Sequence, residues 1–214
     1  RLEEARYATA HDGYEGAMFP WQSGSNGREE TQVIHLNPQS GRWIPDNTHL
    51  QRHVNAAIAY NVWQYYEVSQ DIEFLHYYGA EIILSIMQFL SSITTFSESK
   101  NRYEIRGVVG PDEYHTKYPD QEEPGLNNNA YTNFMVAWIA QKVIKLTRLI
   151  NPEQMQELKD RLNLTEEKIK RWQDISQNMF IPFHADYIIS QFEGYEQLEE
   201  LDWEYFKSQY GKNF

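Results

Sequence analysis

Residues 71–94 constrain this chain more than any other stretch. Ile72, Leu75, Ile82, Ile86, Phe89 and Ile93 recur at helical spacing, and Phe74, Tyr78, Ile83 and Leu90 widen that stripe. A helix apolar on most sides has to be covered on most sides, so the chain must build several other elements around it. Gly79 falls inside this helix, where glycine costs up to about 1 kcal/mol against alanine; close packing is expected there.

The partners are legible on either side. Leu2 to about Thr9 reads as a helix. Asn47 to Val68 reads as another, with Asn47 or Thr48 as cap and Val54, Ile58, Val62 and Tyr65 on one face. Asn129 to Ile150 is a third long apolar helix. Asn151-Pro152-Glu153-Gln154 supplies a cap, a proline at the first helical position and a capping-box glutamine. Thr165 to about Met179 is a further helix. Tyr103 to Val109 alternates weakly, as a short strand would. Beyond Ile181 the pattern mixes proline, the β-like run Tyr187-Ile188-Ile189 and acidic residues, with no clear element up to Phe214.

The connections are unusual. Residues 10–46 form a loop far beyond the roughly 12–15 residues of an idle connection. It carries Phe19, Trp21, Ile34, Leu36 and Trp43, which argue against disorder. Long helices joined by long, aromatic-rich loops point to an all-α fold of the α/α barrel or toroid kind. A simple bundle would need connections of about 2–8 residues.

Composition narrows the function. A formal net charge of −12 argues against nucleic acid and anionic membranes as partners. No apolar run approaches the roughly 18–20 residues of a membrane helix, and no signal-peptide core follows Arg1. The absence of cysteine excludes disulfides, thiolate zinc sites and cysteine nucleophiles, and is compatible with a cytoplasmic location. Six Trp and fifteen Tyr fill cores, and they also stack on sugar rings in wet clefts. No phosphate loop, nucleophile elbow or nucleotide fingerprint is present.

The chemistry concentrates in four places. In Gly110-Pro111-Asp112-Glu113-Tyr114-His115, a carboxyl beside a second carboxylate and walled by tyrosine and valine would have its proton affinity raised, as a glycosidic general acid requires. Asp112 would raise Glu113 or orient a hydroxyl, and His115 would bond either. Taken alone, the motif fits a solvated turn better, since acidic pairs on turns are usually solvated. Phe19 to Gln32 gathers Trp21, Arg28, Glu30, amides and hydroxyls, the make-up of a sugar site or of an ordinary polar loop. His49 and His53 have zinc-ligand spacing, but the glutamate of the zinc motif and a third ligand are missing, so no metal is expected. Capping or substrate hydrogen bonding is the better reading. Asn127-Asn128-Asn129 offers more than one cap needs and so suggests a polar cluster at a cleft.

Gly13-Tyr14-Glu15-Gly16-Ala17-Met18-Phe19-Pro20-Trp21, then Gly110 to His115, then Asn128-Asn129-Ala130-Tyr131-Thr132-Asn133 resemble, in this order and separation, the central catalytic domain of glycoside hydrolase family 65. The likeness covers most of the chain. It implies an (α/α)6 barrel, with residues 1–214 as its central part. An N-terminal β-sandwich and the C-terminal part of the barrel are expected outside this chain, as are the family's phosphate-binding and sugar-gripping segments. The isolated chain is therefore expected to be inactive. The resemblance implies inverting phosphorolysis of an α-glucosidic disaccharide or its phosphate ester, giving a glucose 1-phosphate, with Glu113 as general acid. An inverting hydrolase and a non-catalytic sugar-binding toroid are the alternatives. Trp21, Arg28, Glu30, Trp43, His53, Asp112, His115, Asn128 and Asn129 are the expected substrate-binding residues, with His35 beside Trp43 as a further specificity position. No cofactor is implied beyond inorganic phosphate as co-substrate, and a homodimer of the full-length protein fits the family.

Overall fold

The structure is a computed structural model and describes residues 1–211. Helix α1 (Leu2–His11) leads into the long loop, which carries an antiparallel hairpin of β1 (Ile34–Asn37) and β2 (Arg42–Pro45). The loop reading missed this hairpin. Both its strands are largely exposed, so no buried face imposes an alternating pattern.

A short 3-10 turn (Thr48–Leu50) precedes α2 (His53–Ser69). The helix therefore starts later than its sequence cap suggested. Asp46 accepts from the Thr48 N–H at 3.0 Å and the Thr48 hydroxyl at 2.6 Å, which occupies Thr48 and tightens the first turn. The 71–94 helix is broken into α3 (Ile72–Phe74), a π turn (Leu75–Gly79) and α4 (Ala80–Ser92). Gly79 packs against α2: an added Cβ would stand 3.1 Å from Val62 Cγ1 and from Leu75 Cδ1. The expected close packing is there, and the wide turn accompanies it.

The hairpin of β3 (Thr94–Ser97) and β4 (Arg102–Ile105) follows, in the register Thr94 opposite Ile105. Then come α5 (Ala130–Leu149), α6 (Pro152–Leu162) and α7 (Glu166–Asn178). Asn151 caps α6 through the Glu153 N–H. Gln154 does not complete a capping box, because its amide reaches the His76 carbonyl on the neighbouring π turn at 3.5 Å. A small pair, β5 (Phe183–His184) and β6 (Ile188–Ile189), and a last helix α8 (Trp203–Tyr210) complete the described chain. The expectation of no ordered element towards Phe214 is corrected by α8; residues 212–214 lie outside the described residues.

Helix α5 packs on α2, α4 and α7, and α4 sits at the centre. Ile83, Leu84, Ile86, Met87, Phe89 and Leu90 are each at most 1% exposed, as a helix apolar all round requires. Helix α6 contributes Met155, Leu158 and Leu162, and α7 contributes Trp172 and Ile175. Among the described residues the result is a helical assembly with three two-stranded ribbons at the loops. The site loops gather where α2 and α5 begin.

Candidate functional site

Gly110 to Glu113 make a tight turn, closed by the Glu113 N–H on the Gly110 carbonyl at 3.3 Å. Glu113 holds φ +64°, a conformation that few side chains other than Asn and Asp adopt readily. The turn is anchored from both ends. Val109 donates to the Leu50 carbonyl at 3.1 Å, and Val108 exchanges backbone bonds with Leu126. Below it the backbone passes so close that a Cβ on Gly125 (φ +101°) would fall 2.5 Å from the Gly107 carbonyl carbon. Gly110 lies against the Asn129 amide, so the acid turn packs on the asparagine run.

The two acids part company. Asp112 is bonded to His115 Nδ1 at 2.5 Å, and His115 is seated against Phe192 (5.3 Å) and Tyr195 (5.8 Å). Asp112 and His115 thus fasten the turn to the 192–195 segment. Glu113 is left exposed at the surface of the loop, and Tyr114, expected to wall it, is 92% exposed.

The group that shares the field of Glu113 is His53, the first residue of α2. It is 6% exposed, with its ring centroid 5.7 Å from that of Trp21 and 5.7 Å from that of Tyr131. Burial lowers its pKa, while the Val109 backbone and the Glu113 charge pull the other way. Trp21 is held by the Glu29 carboxylate, which accepts from the Trp21 and Gln22 N–H groups. Glu29 and Arg28 line a cavity of about 320 Å³ with Tyr7, Asp12, His49 and Arg52. Arg28 therefore sits beside the Trp21 loop, and His49 faces a different space from His53. Glu30 is exposed on the same loop, pinned through its N–H to the Gln22 carbonyl. Trp43 stands apart, 65% exposed on β2. His35 is tied to Asp46 at 3.2 Å.

Asn128 and Asn129 are at most 1% exposed and act as supports beneath this surface. Asn129 caps α5 by accepting from the Thr132 N–H at 3.0 Å. The Asn128 amide donates to Glu193 at 2.7 Å and towards buried Glu104, and its carbonyl accepts from the Ile105 N–H and from Asn133. Lys100 bridges Glu104 (3.0 Å) and Glu193 (2.9 Å), and Arg106 closes on Glu104. Burial alone would raise Glu104; Lys100, Arg106 and Asn128 outweigh it and hold its pKa below the ordinary value. This network ties β4 to the start of α5, the two supports of the acid turn.

Residues 1–214 match the glycosyl hydrolase family 65 central catalytic domain. The chain belongs to glycosyl hydrolase family 65. It is 46% identical over 211 residues to an uncharacterized glycosyl hydrolase of Mycobacterium tuberculosis, covering 99% of this chain and 16% of that protein. It is 35% identical over 211 residues to the trehalose 6-phosphate phosphorylase of Lactococcus lactis, covering 99% of this chain and 26% of the enzyme. Against the kojibiose phosphorylase of Caldanaerobacter subterraneus the identity is 34% over 201 residues, 91% of this chain and 25% of that enzyme. In fold it matches a putative kojibiose phosphorylase from the human microbiome, with a TM-score of 0.77 and 24% identity over 97% of this chain and 28% of that one. The chain therefore spans about a sixth to just over a quarter of the length of these proteins.

Reading this family 65 chain from its sequence missed Glu29, Glu104, Glu193 and the Phe192–Tyr195 seat. Glu29 acts within its own loop, on Trp21, Gln22 and Thr31, while Glu104, Glu193 and the Phe192–Tyr195 seat act across segments distant in the chain. Tyr131 stood inside the quoted Asn-Asn-Ala-Tyr-Thr-Asn motif, and only its approach to His53 distinguishes it. Among the described residues no cluster of three or more potential metal ligands occurs, and no helix is long and apolar enough to cross a membrane.

Proposed function

We propose that this chain is the acid-bearing part of an inverting α-glucoside phosphorylase. The observation that carries this is the placement of Glu113. It is presented on a constrained turn, over asparagines 128–129, and within electrostatic reach of the His53 ring that contacts Trp21 and Tyr131. In this reading, the indole and phenol that contact His53, together with the open carboxyl, offer a surface on which a sugar ring stacks while its glycosidic oxygen meets an acid. In the reaction the anomeric carbon–oxygen bond breaks, Glu113 gives its proton to the departing oxygen, and a phosphate oxygen bonds the anomeric carbon from the opposite face. The products are a glucose 1-phosphate of inverted configuration and a free sugar. Phosphate is already nucleophilic, so no protein base is needed. The trehalose 6-phosphate and kojibiose phosphorylases among its relatives favour phosphate over water and suggest α-linked glucose disaccharides as substrates.

In this reading, residues 1–214 form the central part of an (α/α)6 barrel. Its other helices would cover the apolar faces left open on α2 and α5, where Tyr60, Tyr131 and Phe134 are 42%, 43% and 59% exposed.

The test is a Glu113→Gln substitution in the longest natural polypeptide that carries this chain, assayed on kojibiose, trehalose and trehalose 6-phosphate with and without phosphate. Wild type should release glucose 1-phosphate only when phosphate is present, and the variant should lose about 10²–10⁴-fold in kcat. Phosphate-independent release of glucose would assign a hydrolase instead, and an unaffected variant would remove Glu113 from the chemistry.

A further inference from the structure

Away from the acid turn, two cavities of about 470 and 360 Å³ lie between α1, α4 and the corner where α6 meets α7. They share Glu15, Gln88 and Lys168 in their walls, so they form one cleft. Its charge runs against that of the chain. Arg6, Arg161, Lys168 and Arg171 line it, and among the lining residues Glu15 is the one carboxylate. Behind it Glu81 pairs with Arg6 at 2.6 Å and with Arg161 at 3.0 Å, and exposed Glu3 also meets Arg6. Four cations against these three acids leave a positive excess, in a chain of formal net charge −12. The cations are held in place without being used up. A guanidinium offers five N–H donors in a fixed fork. Glu81 takes Arg161 through Nη2, and it keeps the Arg6 and Arg161 heads side by side. Arg171 donates to the Ser91 hydroxyl at 3.3 Å and the Thr94 carbonyl at 2.6 Å, both neutral, and among the described residues it meets no carboxylate within 4 Å. Lys168 reaches Glu15 at 2.6 Å, but that acid is 58% exposed, and such surface pairs hold weakly. Asn163 adds its side chain to the same wall.

We propose that this cleft is a second binding site, for a phosphoryl group: Arg161, Lys168 and Arg171 hold the anion, and Lys168 turns to it from Glu15 while Glu81 keeps Arg6 and Arg161 in place. The occupant is inorganic phosphate or the phosphate ester of a sugar. Shape and chemistry both favour a phosphoryl group over a carboxylate. The donors come from two helices, α6 and α7, with Arg6 of α1 beside them, and a tetrahedral group accepts from several directions at once, whereas a carboxylate accepts in one plane. Each cavity has the size of a small-ligand pocket. The acidity of the rest of the chain disfavours a nucleic-acid strand, which needs a continuous basic track. The site shares no residue with the acid turn or the Trp21–Tyr131 face, and it does not depend on the role of Glu113.

The experiment is isothermal titration calorimetry on the longest natural polypeptide that carries this chain, at fixed ionic strength, with inorganic phosphate, glucose 1-phosphate and glucose 6-phosphate as probes. At least one should bind saturably, with a Kd of about 1 mM or tighter. Arg161→Gln and Lys168→Gln should each weaken that binding by about 10-fold or more, since each removes a charge-assisted donor. Both side chains lie at the surface of the fold, and circular dichroism checks that the variants are folded. Lys159→Gln removes a cation that pairs with Glu166 outside the cleft, and it should leave binding within about 2-fold. Tighter binding of a glucose phosphate than of the free ion assigns a phosphorylated sugar as the occupant, equal binding assigns the free ion, and either result supports the site. Binding unchanged in both folded cleft variants, equal weakening by Lys159→Gln, tighter binding of hexaglutamate than of any phosphate, or no saturable binding would overturn it. The measurement needs no turnover, so it stands or falls separately from the Glu113→Gln assay.

Discussion

The residues that matter most are those whose partners come from distant parts of the chain. Glu104 is 2% exposed, and its carboxylate is worth burying only because Lys100, Arg106 and Asn128 converge on it. Its pKa in the folded chain lies below the ordinary value, so its contribution is present above the unfolded pKa near 4.5 and is lost as pH falls through the folded value. Asp46 behaves in the same direction. Burial would raise it, but Thr48, Gln32 and His35 bring it from 3.8 to about 2, so its share is lost between about pH 4 and pH 2. Glu104→Gln should lower stability by about 1–3 kcal/mol at pH 7, because Arg106 loses its counter-charge and Lys100 keeps only Glu193. It should also flatten the acid decline, as thermal melts stepped from pH 7 to pH 2 would show. An equal slope in wild type and variant would remove Glu104 from acid unfolding.

Among the elements, the acid turn depends on what lies beneath it. Its carboxylates were readable in the sequence as a pair, and the structure separates them: Asp112 becomes an anchor and Glu113 the open group. That division was not legible, since His115 is three residues from Asp112 while Phe192 and Tyr195, which fix His115, are about eighty residues away. The Gly107–Gly125 approach is the point where backbone meets backbone in that support. Gly125→Ala would place a Cβ inside the Gly107 backbone and force a left-handed φ on alanine. A loss of at least about 2 kcal/mol is expected, seen as a lower melting temperature. Where the protein still folds, a displacement of about 1 Å in the turn should cost on the order of 100-fold in kcat. Unchanged kcat with lowered stability would separate the turn's position from its support.

On the scale of the whole molecule, this chain holds an acid and an aromatic face but spans only 16–26% of the curated relatives described above. In the partial-barrel reading, isolated residues 1–214 should show little or no phosphorolysis or hydrolysis, while any longer natural polypeptide that carries them turns over; comparable turnover in the two would overturn that reading. The helices could be read from sequence because each depends on local spacing: apolar residues every three or four positions, Asn151 and Thr165 as caps, and the all-round apolar face of α4. The three ordered motifs were also enough to indicate the family. Tertiary structure alone decided which acid stays open, that Asn128 and Asn129 are buried, and that His53 meets both Trp21 and Tyr131. The reason is physical. Helix formation follows from neighbours along the chain, whereas burial, charge pairing and the facing of two rings are properties of the space between segments that the chain brings together only when it packs.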